Sequence, residues 1–369
     1  MEETFKKDIN ICIDTRALLG AGGVPQYTRQ LIRHLDSEGK NIYLFCNSLR
    51  RLKNFESRFA KIFFRIPSKL FNLSLLVRGR PYINEMVEKR LGKKIDLFIL
   101  PNINFWKSRG DKKIIVAHDL SFAIYPKFFN WQDRIWHRII KPKSLYDSAD
   151  LIIAVSENTK SDLIKIFDIP ENKIRVVYPG VNIDARSLRN EKGNYILYLA
   201  NLEPRKNVLG LIDAYEKINT DLDLVIAGAG KYKPVIQWKA ALSPKRKKIK
   251  LVGFVKESEK TRLISEAQLF VYPSFYEGFG FPPLEAQVLG VPVVASLTSS
   301  MSEVLGNSAI LVNPYDSNEI ARGMEEVLNN SSLRERLVEK GWENVKRFSW
   351  QKTAKEVGDA INELLITNL

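Results

Sequence analysis

Short apolar, β-branched runs alternate with segments of helical periodicity along almost the whole chain. This alternation is typical of parallel sheets whose two faces are covered by helices. Continuous apolarity in a run such as 151–155 indicates a strand that is buried on both faces, as such sheets require. We therefore predict an α/β fold built on doubly wound parallel sheets. The predicted strands span 9–14, 42–46, 96–100, 113–118, 151–155, 174–178, 195–200, 222–227, 249–252, 269–272, 291–295 and 309–312.

The length of the chain sets the expected number of domains. With 369 residues and a mass of 42.3 kDa, the chain is too long for one ordinary core and suits two domains of about 150–180 residues each. The stretch from Pro179 to Gly193 is polar and lacks both the periodicity of a helix and that of a strand, so we interpret it as an interdomain linker. The predicted N-terminal domain covers 1–180, the linker 181–193 and the C-terminal domain 194–349.

Composition excludes several classes of protein. With 45% hydrophobic and 27% charged residues, the chain is neither disordered nor fibrous. No stretch approaches the roughly 18 consecutive apolar residues of a membrane-spanning helix, and the N-terminus lacks the apolar core of a secretory signal. Cys12 and Cys46 lie in strand-like runs, which fits a reducing compartment and gives too few thiols for a metal cluster. We expect a cytoplasmic protein.

The charge of the chain is strongly basic. Lys and Arg number 57 against 42 Asp and Glu, and the resulting net charge of +15 suggests an anionic partner. Residues 50–94 alone hold 13 basic residues and three acidic ones, a net charge of +10. Bulky apolar residues recur in this segment, and the first two of them have the i, i+4 spacing of one helix face. They are Phe55, Phe59, Phe63, Phe64, Leu70 and Phe71.

This basic segment has two interpretations. It can form the solvated helix faces of a lysine-rich protein. Alternatively, its mixture of basic and bulky apolar side chains suits a helix that lies among the headgroups of an acidic bilayer. Each Lys or Arg near an anionic surface contributes about 1 kcal/mol, so a few of them suffice for reversible binding. We favour the second interpretation, which implies peripheral contact with an anionic membrane through 50–94.

Ligands of open parallel sheets bind beyond the carboxyl ends of the strands. The residues that follow the predicted strands are therefore the candidates for a site, and they include glycines, a histidine, a basic pair and acids. They are Gly20, Gly22, Gly23, His118, Asp119, Arg205, Lys206, Gly228, Gly230, the segment 253–255 and the segment 274–280. Such an edge suits a phosphorylated ligand.

Some of these features are better explained as structural. The first glycine loop is only a partial dinucleotide fingerprint, because Pro25 stands where the third glycine would be. Gly228 and Gly230 also lack a third glycine, and we interpret them as a structural turn. Asp221 and Asp223 imitate a metal-binding DxD motif, but they open a buried strand at the end away from the ligand edge. We therefore predict no metal site there.

Three further polar residues have both a structural and a functional interpretation. His118 can be a hydrogen-bonded core histidine, yet its place at the carboxyl end of a strand, followed by a carboxylate, favours a functional role. Arg205 and Lys206 can be solvated charges, which is the usual state of a basic pair. The other two histidines, His34 and His137, lie in helical segments and are given no role.

The strongest signal is the segment from Glu277 to Glu285, Glu-Gly-Phe-Gly-Phe-Pro-Pro-Leu-Glu. Gly278 and Gly280 allow backbone to approach a ligand closely. The pair Pro282–Pro283 suits the first turn of a helix whose free N–H groups attract phosphate. Glu285 then lies one turn inside that helix, where it can accept hydrogen bonds from neutral hydroxyls. Two carboxylates around a glycine turn and a helix N-terminus indicate a polyol joined to a diphosphate, as in a sugar nucleotide.

These motifs resemble the retaining glycosyltransferases of family 4, also called glycosyl transferases group 1, and their mannosyltransferase-like members. The resemblance rests on the Glu-x7-Glu element, the preceding VYPSFY, the following LEAQVLGVPVVAS and the Asn201–Asn207 segment, NLEPRKN. It extends over nearly the whole chain through GGVPQYTRQL, HDLSFAIYPKFF, VSENTKSDL, VYPGV and FSWQKTA. It implies the GT-B fold: two Rossmann-like doubly wound domains facing a cleft, with a C-terminal helix over 350–369 crossing back to the N-terminal domain.

The resemblance also implies roles for individual residues. Arg205 and Lys206 would hold the donor diphosphate, Glu277 would bind the donor sugar, and His118 would meet that sugar near C6. Glu285 would take the ribose hydroxyls, and the backbone of 253–255 would frame the base. The catalytic set is thus His118, Glu277, Arg205 and Lys206. The donor-binding set is Gly22, Gly23, Gly253, Phe254, Val255, Gly278, Phe279, Gly280, Leu284 and Glu285.

The family resemblance further implies a donor, an acceptor and a mechanism. The expected reaction retains the anomeric configuration and needs no metal and no cofactor, because the basic pair and the helix N-terminus neutralise the leaving group. The HDLSF segment favours GDP-mannose as donor, with UDP- and dTDP-sugars as alternatives. The expected acceptor is a glycan or a lipid-linked glycan at the inner face of the cell membrane.

Three other functions are less consistent with the sequence. A sugar-nucleotide epimerase of similar fold needs acid and base residues at two sugar carbons, and no such set can be assembled. A basic nucleic-acid-binding protein is allowed by the charge, but the aromatic-basic signatures of RNA readers are missing. A sugar-binding protein without catalysis would not need Arg205, Lys206, Glu277 and Glu285 together. We therefore expect no nucleic-acid partner.

Overall fold

The computed structural model describes residues 9–20, 22–49, 55–181 and 192–366. It is an α/β structure with two all-parallel sheets, which confirms the predicted fold class. The described residues divide into two compact units. The first holds the chain up to Leu120, Asn130–Pro179 and the chain from Trp350, and the second holds Ser121–Phe129 and Gly180–Ser349.

The first unit contains a seven-stranded sheet in the order β3-β2-β1-β4-β5-β6-β7. Its strands are β1 Ile9–Asp14, β2 Lys40–Asn47, β3 Ala60–Phe64, β4 Leu97–Leu100, β5 Lys112–Ala117, β6 Leu151–Ala154 and β7 Ile174–Val176. The strand order reverses between β1 and β4, which are hydrogen-bonded neighbours. The chain therefore leaves these two strands in opposite directions, and a crevice opens at their carboxyl ends.

Seven helices belong to the first unit among the described residues. They are α1 Gly23–His34, α2 Ser68–Arg78, α3 Ile83–Leu91, α5 Trp131–Ile140, α6 Pro142–Asp147, α7 Glu157–Phe167 and α15 Trp350–Ile366. Side chains fix several helix starts: Asn130 accepts from the N–H of Asp133, and Ser156 accepts from the N–H of Thr159.

The last helix, α15, belongs to the first unit. Trp350 packs edge-on against Tyr27 of α1, and Thr353 Oγ1 donates to the carbonyl of Tyr178 at 2.7 Å. Val357 and Ile361 are fully buried. The end of the chain thus supplies part of the core of the first unit, as the fold class implies.

The second unit contains a six-stranded sheet in the order β10-β9-β8-β11-β12-β13. Its strands are β8 Tyr195–Leu199, β9 Asp223–Ala227, β10 Ile249–Gly253, β11 Leu269–Tyr272, β12 Val293–Ser296 and β13 Ile310–Val312. Its helices are α4 Ser121–Ile124, α8 Val208–Lys217, α9 Lys233–Leu242, α10 Glu257–Ser265, α11 Phe281–Val288, α12 Met301–Leu305, α13 Ser317–Asn329 and α14 Ser331–Val345. The order reverses between β8 and β11, so the ligand edge of this unit lies after these two strands.

Two glycines after β9 are required by close backbone packing. A Cβ on Gly228 would lie 1.8 Å from the carbonyl oxygen of Ala200, and one on Gly230 would lie 2.2 Å from that of Leu202. Any side chain at either position would force the neighbouring loop away. This contact supports the interpretation of Gly228 and Gly230 as a structural turn.

The predicted strands are all present, with ends that differ by one or two residues, but one strand was missed. The chain forms β3 within the basic segment that we expected to be helical. Phe55 and Phe59 precede this strand in irregular backbone, and both are buried. The prediction that they share an exposed helix face is therefore wrong. Residues 50–54 of the basic segment and 182–191 of the predicted linker lie outside the described residues.

Candidate active site

The candidate site of the second unit is built by the two loops that follow β8 and β11. A short 3-10 turn, Pro204–Lys206, follows β8, and the segment 273–280 follows β11. The N–H of Phe275 donates to the carbonyl of Arg205 at 2.9 Å, which ties the two loops together. The reversal of strand order thus places the predicted basic pair beside the predicted Glu-x7-Glu element.

Glu277 joins both predicted phosphate-binding cations. The buried Lys206 Nζ donates to Glu277 Oε1 at 2.5 Å and to the hydroxyl of Tyr272 at 2.9 Å. Arg205 Nη1 donates to Glu277 Oε2 at 3.2 Å, while its Nε donates to Glu203 at 2.9 Å. The structure therefore brings together three of the four residues predicted to be catalytic, although about 70 residues separate the pair from Glu277 in sequence.

Serine hydroxyls hold Glu277 from several sides. Ser274 Oγ donates to its Oε1 at 2.6 Å, its own N–H donates to Ser299 Oγ at 2.9 Å, and Ser300 Oγ donates to its carbonyl at 3.0 Å. Ser299 has a φ of 56°, in the left-handed region that non-glycine residues seldom adopt. Sequence reasoning included Ser274 only as part of the segment 274–280 and missed Ser299 and Ser300, because serine is a common residue type and no spacing connects these two to the carboxylate.

The charges of this cluster depend on one another. Burial by itself raises the pKa of Glu277, but Lys206 and Arg205 outweigh burial and lower it to about 2. Burial and the adjacent Arg205 lower the pKa of Lys206, although Glu277 opposes them. Two cations thus share one buried carboxylate. Glu203 pairs with Arg205 as well, so two carboxylates balance the two cations and the cluster has no net charge.

The glycine turn after Glu277 leads directly into α11. Gly280 has a φ of 97°, and a Cβ there would lie 2.1 Å from the Met301 methyl group. Pro282 and Pro283 lie in the first turn of α11, as predicted. Phe279 and Leu284 are buried. The donor-binding roles implied for Phe279 and Leu284 therefore fall to their backbone groups, as do those implied for Gly278 and Gly280.

Glu285, the second carboxylate, is buried one turn inside α11 and has its own cation. Lys260 Nζ, on α10, donates to Glu285 Oε1 at 2.8 Å and pairs with Glu257 at 2.9 Å. Burial disfavours the charge on Lys260, but these carboxylates outweigh it and raise the pKa. Sequence reasoning missed Lys260, because nothing distinguishes it from the many other lysines.

The segment implied to frame the base follows β10. Gly253 ends that strand with a φ of 78°, and the Lys233 ammonium lies 4.0 Å from the position of a Cβ there. The Phe254 ring is 74% exposed, and Val255 is half-buried. A planar ligand can therefore reach both the backbone and an aromatic side chain at this point.

The remaining predicted residues lie in the first unit. His118 follows β5, and its Nε2 donates to the carbonyl of Pro101 at 2.7 Å, which leaves Nδ1 as the acceptor. Its ring meets Tyr27 edge-on, and burial lowers its pKa, so the neutral form is favoured. Gly22 precedes α1 with a φ of 103°, and Gly23 is the first residue of that helix, so both lie at a helix N-terminus.

The first unit also contains a buried ion pair that sequence reasoning missed. Arg16 Nη2 donates to Asp14 at 2.7 Å and to the carbonyl of Phe105 at 3.0 Å. The guanidinium lies over the rings of Phe45 and Trp106. These residues lie at the carboxyl ends of β1, β2 and β4, where the strand order of this sheet reverses.

Comparison with known proteins identifies the chain. The profile of the Glycosyltransferase Family 4 domain matches residues 21–185, and that of Glycosyl transferases group 1 matches residues 182–343. The chain belongs to glycosyltransferase family 4. Together the two profiles span most of the sequence, including the site just described.

Relatives of this glycosyltransferase include O-antigen mannosyltransferases. It is 29% identical to the O-antigen chain mannosyltransferase B of Escherichia coli over 281 residues, which are 71% of this chain and 74% of that protein. It is 27% identical to the serotype-specific mannosyltransferase WbdA of Escherichia coli over 296 residues, but spans only 36% of that longer protein. A sucrose-phosphate synthase from Thermosynechococcus elongatus has the same fold, with a TM-score of 0.77 and 21% identity over 97% of this chain and 100% of that one.

The glycosyltransferase contains no candidate metal centre among its described residues. No group of three or more His, Cys, Asp or Glu side chains lies close enough together there to hold an ion. In the DxD sequence, Asp221 pairs with Lys248 at 2.9 Å, which lowers its pKa, and Asp223 begins β9. Nor is any helix of the described chain both long and apolar enough to cross a bilayer.

Proposed function

We propose that this glycosyltransferase moves a mannosyl residue from GDP-mannose to a glycan or lipid-linked glycan, with retention of the anomeric configuration. The observation that carries the proposal is the cluster of Arg205, Lys206 and Glu277. It offers two cations for a diphosphate and one ionised carboxylate for sugar hydroxyls. The mannosyltransferase names of the Escherichia coli relatives support the choice of sugar.

The proposed mechanism is electrostatic. The bond between C1 of the sugar and the diphosphate oxygen breaks, and C1 bonds to the acceptor oxygen on the same face. The acceptor proton passes to a phosphate oxygen of the leaving nucleoside diphosphate. Lys206, Arg205 and the N–H groups at the start of α11 stabilise the charge that develops on the diphosphate, while the sugar becomes oxocarbenium-like.

The two carboxylates have different tasks in this proposal. Glu277 lies in the turn before α11 and accepts hydroxyls of the mannosyl group. Glu285 lies inside the helix and accepts the ribose hydroxyls, in place of its contact with Lys260. His118 receives a sugar hydroxyl at Nδ1, because Nε2 is committed to Pro101.

We expect the purified protein to hydrolyse GDP-mannose slowly when no acceptor is supplied, and to do so equally well in excess EDTA. The basic pair and the helix N-terminus neutralise the diphosphate, which gives the reaction no need of a divalent ion. A panel of GDP-, UDP- and dTDP-sugars, each with and without EDTA, measures both points.

Two results of this screen contradict parts of the proposal. Turnover of a UDP- or dTDP-sugar alone removes the guanine assignment, and a requirement for added Mn²⁺ or Mg²⁺ removes the metal-independent mechanism. Thermal stabilisation by short RNA and not by any nucleoside diphosphate would remove the transferase function as a whole.

We further propose that the first unit meets an anionic cytoplasmic membrane through α2. This helix exposes the ridge Leu70, Leu73 and Val77, which have i, i+3, i+7 spacing, and exposes Leu76 beside it. Val77 is 72% exposed and Leu70 61%. Exposed basic residues flank the ridge: Arg65, Lys69, Arg78 and Arg80. An apolar ridge edged by cations suits the headgroup region of an acidic bilayer. Binding at such a surface would bring the enzyme to a lipid-linked acceptor.

The double substitution Leu73→Gln/Val77→Gln is expected to weaken binding to anionic vesicles by at least about tenfold, because it removes two aliphatic side chains from the apolar region. Ile166→Gln/Leu297→Gln, at two exposed apolar residues elsewhere, is the matched control. Co-sedimentation with vesicles at low and high salt measures the difference. Equal binding of both variants would leave α2 as ordinary solvated surface.

A further inference from the structure

The helix α9 of the second unit leaves an apolar face uncovered. Val235, Trp238 and Leu242 have i, i+3, i+7 spacing and share one side of the helix. Trp238 is 65% exposed and Leu242 64%. Ile236 and Ala240, on the opposite side, are buried and hold α9 against its unit. The uncovered side is therefore a separate apolar surface, and the packing of the unit does not require it.

This apolar face lies in the most one-sidedly charged stretch of the second unit. Residues 231–250 contain eight Lys or Arg and no Asp or Glu. Lys239 and Lys248 pair with carboxylates from other elements. Arg246, Lys247 and Lys250 have no carboxylate partner within salt-bridge distance in the part of the chain that the structure describes. Helix α9 contacts the turn Arg246–Lys248, which holds two of these three cations, and Lys250 follows that turn by two residues.

Donor binding does not account for these cations. The helix α9 follows β9 and runs back toward the start of β10, so the turn Arg246–Lys248 lies at the amino end of β10. Arg205 and Glu277 follow the carboxyl ends of β8 and β11, at the opposite edge of the same parallel sheet. Trp238, Leu242, Arg246, Lys247 and Lys250 are called the α9 surface below.

We propose that the α9 surface docks on the headgroup region of an anionic lipid bilayer. Tryptophan favours the interface between water and lipid, where its ring is in an apolar layer and its N–H is hydrated. Leu242 adds apolar area, and the three cations attract anionic headgroups. A second copy of the chain fits this surface poorly, because pairing two α9 surfaces would bring like charges together.

The test uses the intact protein carrying Leu73→Gln/Val77→Gln, so that α2 does not dominate binding. Two variants are compared in this background: Trp238→Ala/Leu242→Ala and Arg246→Gln/Lys247→Gln/Lys250→Gln. The matched controls are Trp342→Ala, which removes another exposed tryptophan, and Arg336→Gln/Lys346→Gln/Lys355→Gln, which removes three other exposed cations. The probes are phosphatidylcholine vesicles with and without phosphatidylglycerol.

The charge variant is expected to lower partitioning onto the anionic vesicles by about 100-fold at low salt, because each cation near the surface contributes about fivefold. The apolar variant is expected to lower it at both low and high salt. Both controls are expected to bind like the parent. The intact protein should also show a vesicle-induced blue shift of tryptophan emission that Trp238→Phe reduces.

Three results overturn the proposal. The first is equal vesicle binding by the charge variant and its control. The second is a vesicle-induced blue shift that persists in Trp238→Phe. The third is sedimentation in which the α9 variants abolish self-association without changing vesicle binding. Loss of GDP-mannose hydrolysis is not among these results. The α9 surface can therefore fail while the proposed transferase function stands, and the reverse is also true.

Discussion

Lys206→Ala is expected to lower kcat/KM for donor hydrolysis by about 10- to 100-fold, and Arg205→Ala by a similar factor. Each substitution removes a charge-assisted hydrogen bond to the diphosphate, and such a bond contributes about 1.5–3 kcal/mol. The ammonium of Lys206 is the harder of the two cations to replace, because it is buried beside Tyr272 and a water molecule cannot easily take its place. Steady-state kinetics with the preferred sugar nucleotide measure the loss.

Lys217→Ala is the matched control for this pair. Lys217 lies on α8, the helix that follows the basic turn, and among the described residues it donates only to the side chains of Ser317 and Asn318. Its removal should leave kcat/KM unchanged. Thermal melting of all variants separates lost binding from lost folding. Wild-type activity in a folded Arg205→Ala/Lys206→Ala double variant would remove the diphosphate assignment.

Glu277→Gln is expected to reduce turnover by about 10²- to 10³-fold while affinity for the nucleoside diphosphate is retained. The neutral amide keeps the shape of the side chain but no longer supplies the ionised oxygens that we assign to the mannosyl hydroxyls. Lys206 and Arg205 lose their shared counter-ion in this variant, but Arg205 keeps Glu203, so the diphosphate retains a positioned cation.

Glu285→Gln is expected to show the opposite pattern, because this carboxylate is assigned to the ribose. The inhibition constant of the nucleoside diphosphate product should rise first, with a smaller effect on turnover at saturating donor. Lys260 keeps Glu257 as a partner, so the local structure should survive the change. If Glu277→Gln weakened the diphosphate and Glu285→Gln stopped only turnover, the two roles would have to be exchanged.

The sheets could be predicted from sequence because their strands are buried on both faces. Runs such as β4 and β11 are apolar at every position, and every residue in each is buried. The strand β3 was missed for the opposite reason. It lies at the edge of its sheet, only Ile62 within it is buried, and Lys61 interrupts the apolar pattern. An edge strand needs less apolar character than a central one, so its sequence carries a weaker signal.

The site was predictable in its parts but not in its contacts. Strand ends indicated which residues approach the ligand edge, and glycine and proline marked the start of α11. The pairing of Lys206 with Glu277 depends on the adjacency of β8 and β11, which no local pattern encodes. Lys260 and the serines around Glu277 are common residue types, and only three-dimensional packing distinguishes them from their neighbours in sequence.

The place of α15 in the first unit has a consequence for synthesis of the protein. Trp350, Val357 and Ile361 are buried, and they are synthesised after the whole of the second unit. Domains usually fold in the order in which they emerge. Here the N-terminal unit lacks part of its core until α15 has been synthesised, whereas the second unit has all its residues by Ser349. The half of the enzyme that is made first should therefore be the half that finishes folding last.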